Sequence, residues 1–338
     1  MNIKKALVNF YCGLLNKMQN AVPCCGHLAQ ENVPKVVHID PCGKCNFRCY
    51  FCPCNHSEQS IEERHKIMPL EMFTKIIDDI AEFSKPIGTL FLYAYGEPLI
   101  NPNFVAMCRY AKQKNIAERI HFTTNGYLLN RTLNQELIET GIDKIRISIE
   151  ALDAVQYREI CGITINWDHF LGNISDLHKR ANGILKIEVK GIDITLRNKR
   201  DVETFKNIFG PITDRQHVER VEKVWPGYEF STDDSYQSDA LSFFNYTDEN
   251  HVCLFPWQTI VISSNGDVGL CCADWNHDTK YGNILNSSVK QLWESSQLSQ
   301  IREWHRTLKR VDIPISACKN CKYVPPKKSK RKNITEGD

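Results

Sequence analysis

The spacing of apolar residues changes several times along the chain. Ile3, Leu7, Phe10, Tyr11, Leu14 and Met18 recur at helical intervals. They predict one amphipathic helix over residues 1–20 that packs on the main body or at a dimer interface. Lys4, Lys5 and Lys17 leave a membrane surface as the alternative. Between about residues 35 and 225, short β-branched runs alternate with helical patterns. Strands are predicted over 36–39, 89–93, 120–123, 144–149, 185–194 and 220–225, and helices over 70–83, 104–112, 133–140 and 167–177. Such alternation implies βα units and a parallel sheet. Six units are too few for a closed eight-stranded barrel, so the expected fold is α/β, a partial TIM-like (βα)6 barrel.

The texture then changes. Residues 228–250 are polar and read as a linker. Residues 259–263 and 268–271 flank Asn265-Gly266, a hairpin signal, and a helix carrying Val289, Leu292 and Leu298 follows. The expected organisation is a lead-in over 1–34, a core over 35–227, the linker, a small hairpin-plus-helix domain over 251–325, and a basic tail over 326–338.

Composition narrows the class. Basic and acidic residues number 42 and 40, a balance that calls for neither nucleic acid nor an anionic surface. No apolar run is long enough for a signal peptide or a membrane span. Fifteen cysteines in such a chain point to a cytoplasmic protein with metal or thiol chemistry rather than disulfides.

Cys45, Cys49 and Cys52 fall within eight residues, just after a predicted strand. Three thiolates so close converge on a metal or a cluster. Structural zinc takes four protein ligands, which would require Cys42 or Cys54 as well. A [4Fe–4S] cluster held by three cysteines instead keeps one iron open to a ligand. Further motifs stand in order near the ends of later predicted strands: Gly96-Glu97-Pro98, Thr123-Thr124-Asn125-Gly126, Ser148-Ile149-Glu150 and Val189-Lys190-Gly191.

Over residues 35–225 this series resembles the radical S-adenosylmethionine (SAM) superfamily, down to Phe51 before the last cysteine. The resemblance implies that the open iron chelates the SAM methionine and that its reduction yields a 5′-deoxyadenosyl radical. It implies SAM contacts from Gly96 and Glu97 to the amino group, from Asn125, Ser148 and Glu150 around ribose and carboxylate, and from Gly191 beside the adenine. The family often has arginine where Cys161 stands; Arg158 or Arg197 would have to replace it. Cys161 itself reads as a hydrogen-atom donor or a plain buried thiol.

Cys253, Cys271, Cys318 and Cys321 form a 2+2 set that suits zinc or a fully ligated [4Fe–4S] cluster. The arrangement resembles the SPASM and twitch auxiliary domains of radical SAM enzymes, with Cys271 fitting better than Cys272. No cysteine follows Cys321, so one auxiliary cluster is expected. Asp274 is the candidate general base, or alternatively a turn cap. The resemblance implies a flavodoxin- or ferredoxin-type electron donor. The residues before the core are too few for a peptide-binding domain. That favours dehydrogenation of a small sugar-like or amino-cyclitol-like substrate over peptide modification, with a non-catalytic metal-binding module as a third reading.

Overall fold

The computed structural model describes residues 32–55, 66–219 and 253–321, with 221, 225–226, 228 and 230 between the last two segments. The expected N-terminal helix, most of the linker and the basic tail lie outside the described residues.

A nine-stranded sheet runs through the molecule in the order β6-β5-β4-β3-β2-β1-β7-β8-β9. Strands β1 (Val36–Ile39), β2 (Ile87–Phe91), β3 (Ala117–Thr124), β4 (Lys144–Ile149), β5 (Lys186–Ile192) and β6 (Arg215–Glu219) are parallel, each beside its predecessor. Sequential order without reversal is barrel winding, not the doubly wound order of dinucleotide folds. The barrel stays open because the free edge of β1 takes β7 (Thr259–Ile262) in parallel register from Val36↔Thr259 to Ile39↔Ile262. Strands β8 (Asp267–Gly269) and β9 (Gly282–Asn283) complete an antiparallel meander. Gly266, at φ +84°, supplies the left-handed turn between β7 and β8.

Helices α1 (Leu70–Ala81), α2 (Phe104–Gln113), α3 (Arg131–Glu139), α4 (Ala154–Cys161), α5 (Trp167–Ala181) and α6 (Lys199–Phe209) intervene between the strands. Strand alternation divides the two faces. Ile145, Ile147, Ile187 and Val189 are fully buried in the apolar core. The alternate positions carry His38, His121, Arg146, Glu188, Lys190 and His217 and face the barrel interior.

The described sixth strand is Arg215–Glu219, and of the predicted 220–225 residues 220 and 222–224 lie outside the described residues. The C-terminal helix is two helices, α8 (Val289–Trp293) and α9 (Ser296–Thr307), because Ser295 caps the second one. A four-residue helix, α7 (Phe255–Gln258), precedes β7, and another, α10 (Ser316–Lys319), follows α9. Two residues of the expected linker are described. Tyr228 and Phe230 pack with Tyr50, Phe51, Ile192 and Ile194, and Tyr228 Oη donates to Tyr50 O at 2.8 Å.

Candidate functional site

The first cysteine set lies on the loop after β1, at the C-terminal end of the parallel strands, where barrel active sites form. This loop is tied down from three sides. Asp40 Oδ1 accepts the Tyr95 and Gly96 amides at 3.2 and 3.4 Å, and Glu97 N donates to Lys44 O at 2.7 Å. Arg48 N donates to Cys161 O at 2.8 Å. A methyl group on Gly96 would fall 2.1 Å from Cys42 O and 2.5 Å from Lys44 O, so only glycine lets the loop pass.

Glu97 is turned into the protein. Its carboxylate accepts from Thr124 Oγ1 at 2.7 Å, the Asn125 amide at 2.7 Å and the Leu99 amide at 3.1 Å. Burial pushes its pKa up to about 7, against those donors. Its side chain therefore latches the β2 and β3 turns together, and the backbone of the turn is what faces outward. Asn125 extends the latch: Nδ2 donates to Asn46 Oδ1 at 2.7 Å and lies 3.9 Å from Cys45 Sγ.

Two expected site residues have other surroundings. The space beside Gly191 is filled by Leu196 and Phe205, at 2.5 and 3.2 Å from a would-be Cβ, so its glycine serves helix packing. Cys161 is fully buried at the end of α4, with its thiol against Cys49, behind the cysteine loop rather than inside the barrel. Phe51 packs with Ile192, Ile194, Phe230 and Tyr228 in an apolar cluster at the end of β5. Ser148 and Glu150 are both buried, and Glu150 Oε2 has no hydrogen-bond partner.

These features fit the expected groups. Burial lifts the Cys45 thiol to about 12, so it ionises only where a cation holds it. An orphaned buried carboxylate oxygen suits a hydroxyl or ammonium donor.

Cys253, Cys271, Cys318 and Cys321 line a single pocket with Pro256, Leu270 and Ala317 among its walls. Cys253 is likewise lifted to about 11 by burial. Among the described residues no three such donors close on a point as a single ion requires. Cys272 is not part of that lining, although its thiol is hydrogen-bonded to that of Cys271.

Asp274 also borders the pocket, yet both oxygens are engaged: Oδ1 accepts the Asp278 amide at 3.0 Å, and Oδ2 accepts Thr279 N and Oγ1 at 2.7 and 2.6 Å. These bonds are those of the turn-capping alternative, while burial raises its pKa beside the pocket.

Sequence reading missed the residues joining the two cysteine sites. Tyr95 Oη donates to Cys271 O at 3.3 Å, and its ring lies 4.9 Å from that of His277. It also missed the charged barrel interior. Lys144 Nζ bonds Glu188 at 3.0 Å, and His217 bonds Glu188 and Glu219 at 3.0 and 3.1 Å. Charged side chains at alternate strand positions were the available signal.

Residues 39–206 match the family model of the radical SAM superfamily, and residues 253–322 match an iron–sulfur cluster-binding domain, SPASM. A probable GTP 3′,8-cyclase of Methanococcus maripaludis is 34% identical over 117 residues, 35% of this chain and 37% of the relative. A tungsten-containing aldehyde ferredoxin oxidoreductase cofactor-modifying protein of Pyrococcus furiosus is 30% identical over 36% of this chain and 32% of its own length. The chain thus spans about a third of the length of these curated relatives. Among solved structures, BtrN in complex with AdoMet and 2-DOIA has a TM-score of 0.55 at 18% identity, covering 86% of this chain and 94% of that one. Streptococcus suis SuiB bound to the precursor peptide SuiA has a TM-score of 0.62 at 15% identity, covering 95% and 76%. At such identities these two likenesses speak to the fold.

Proposed function

The chain belongs to the radical SAM superfamily and carries a C-terminal SPASM iron–sulfur domain, and on that premise we propose that it dehydrogenates a small sugar-like or amino-cyclitol-like molecule. The radical SAM domain implies a [4Fe–4S] cluster and SAM, and the SPASM domain implies further iron–sulfur. When bound, these groups supply a 5′-deoxyadenosyl radical for hydrogen abstraction and an acceptor for the electron left on the substrate. A flavodoxin- or ferredoxin-type partner would deliver the initiating electron.

The protein's own part is placement. Cys45, Cys49 and Cys52 would hold the first cluster; Cys253, Cys271, Cys318 and Cys321 would hold a single auxiliary one. The Glu97–Asn125 latch keeps the first loop in register. Phe51 and its apolar neighbours would keep water from the adenine, and Glu150 Oε2 would accept a hydrogen bond from the ribose or amino group of bound SAM.

The observation that carries this reading is the polar barrel interior, where Lys144, Arg146, Lys190 and His217 stand within 4 Å of Glu188 or Glu219. Such a lining suits a small, heavily hydrogen-bonding substrate. The likeness to SuiB with its precursor peptide favours peptide modification as the second reading.

The test is anaerobic incubation of reconstituted protein with SAM and dithionite. Release of 5′-deoxyadenosine is expected, and its absence would overturn the enzymatic reading. Deuterium transfer from labelled amino-cyclitols, and not from peptides, into 5′-deoxyadenosine would then separate the two substrate classes.

A further inference from the structure

Helix α4 docks on the first cysteine loop through its last turn. Tyr157 and Cys161 stand four residues apart, so they share one face of the helix, and both are fully buried. The Tyr157 ring meets that of Phe47 edge-on at 6.0 Å. Where the helix ends, the backbone of the loop takes over. Arg48 N donates to Cys161 O at 2.8 Å, and Tyr50 N donates to Ile160 O at 3.1 Å. Carbonyls at a helix C-terminus lack partners within the helix, and the loop supplies them here. Residue 49 lies between the two donors. The same docking therefore brings its side chain to Cys161, and the two thiols are hydrogen-bonded.

The ligand sulfurs of this loop thus take donors of different kinds. Cys45 Sγ accepts Phe47 N at 3.4 Å and lies 3.9 Å from Asn125 Nδ2. Cys49 takes a thiol from another element. Between two thiols either sulfur can donate. A cysteine gives up its proton to bind iron, so with a cluster in place the Cys161 S–H is the donor left to the pair, and Cys49 Sγ accepts. Sulfur carries more negative charge in a reduced cluster than in an oxidised one. A donor to a ligand sulfur therefore favours the reduced state.

We infer that Cys161 is a positioning residue for the first cluster: its S–H holds Cys49 Sγ by a hydrogen bond and makes that cluster easier to reduce. This rests on the ligand set of the proposed function and goes beyond it, giving a task to a thiol that faces away from the barrel interior. A thiol suits the place. It is small and apolar, with one weak donor, so it can sit fully buried between loop and helix without bringing a charge that needs a partner.

The test is a redox titration of the anaerobically reconstituted full chain, followed by electron paramagnetic resonance. The first cluster is recognised by the change that SAM makes in its signal, since a fully ligated cluster has no iron to offer SAM. At a fixed applied potential where both forms are present, Cys161→Ala should lower the ratio of reduced to oxidised first cluster about threefold, the scale of a weak hydrogen bond. Cys161→Ser, close in size and a stronger donor, should keep the ratio or raise it. Should the alanine variant fail to assemble its cluster, the serine variant decides alone. Iron content and circular dichroism report on assembly and folding. Three results overturn the inference: an unchanged ratio in the alanine variant, a lowered ratio in the serine variant, or an equal change in the second cluster. The last would mean that packing across the whole molecule had altered. Any of these leaves the proposed function standing, whereas a wild type with no SAM-responsive signal overturns the ligand assignment as well.

Discussion

Gly96 has no room for a methyl group, and the obstruction is backbone: Cys42 O and Lys44 O cannot rotate away as a side chain could. Gly96→Ala should therefore push the cysteine loop off the β2 turn, at a cost of about 3 kcal/mol. The reconstituted variant should lose the first cluster's iron while the second set keeps its own. Retention of all iron would show that the loop can shift without losing its ligand geometry. Neighbouring cysteines in the second set divide in the same way. Cys271 lines the auxiliary pocket and Cys272 does not. Cys271→Ala should lower the iron content by about four atoms per chain, and Cys272→Ala by none, by ligand count for a [4Fe–4S] cluster. Equal losses in the two variants would contradict this division. At this scale the motifs were legible because each is a short word in the sequence. Their roles were less so. Gly96 and Glu97 stand together in the sequence, yet one makes room for a loop and the other latches two turns. Only the neighbours that Thr124, Asn125 and Lys44 become in three dimensions reveal this.

Elements were legible where apolar residues recur at a regular period on one face. β1 and β4 fall at the predicted residues, and α2 and α5 begin where predicted. Strand β6 was missed because its sequence, Arg-Gln-His-Val-Glu, breaks the rule that buried parallel strands read as apolar runs. Its alternate positions, Arg215, His217 and Glu219, are all charged or polar, and that is what hid the strand. Helix α8 shows a second limit of local pattern. Its first amide, Val289 N, donates to Asp79 Oδ2 at 3.1 Å, across 210 residues of sequence. The same oxygen accepts Lys75 Nζ at 2.7 Å. Asp79 thus joins α1 to the C-terminal region at a buried position. Asp79→Ala should strand that amide and cost about 1–2 kcal/mol, while Asp79→Asn, which keeps an acceptor, should cost less. Urea midpoints of the reconstituted proteins check the order. Equal losses would mean that the carboxylate charge, not the accepted hydrogen bond, carries the effect.

At the scale of the molecule, the two cysteine sites share one sheet. The hairpin that carries Cys271 is bonded to β1 over four residues, and β1 itself leads into the loop of Cys45. Burial continues across that junction: Val37, Ile39, Ile260 and Ile262 are all fully buried in one core. A cluster that closes a long loop ordinarily stabilises its domain as well as doing chemistry. Here the meander's main strand does not depend on that closure, because its backbone partners lie in the barrel. Removing the second cluster with Cys318→Ala and Cys321→Ala should therefore free α10 and the chain around it but not β7. The expected iron content is about half that of the wild type, by the same ligand count. Amide hydrogen exchange should stay slow across Thr259–Ile262 and become fast across Ser316–Lys319. If β7 instead exchanged as freely as α10, with the first cluster lost alongside the second, the sheet would be held together by the iron rather than by its own register.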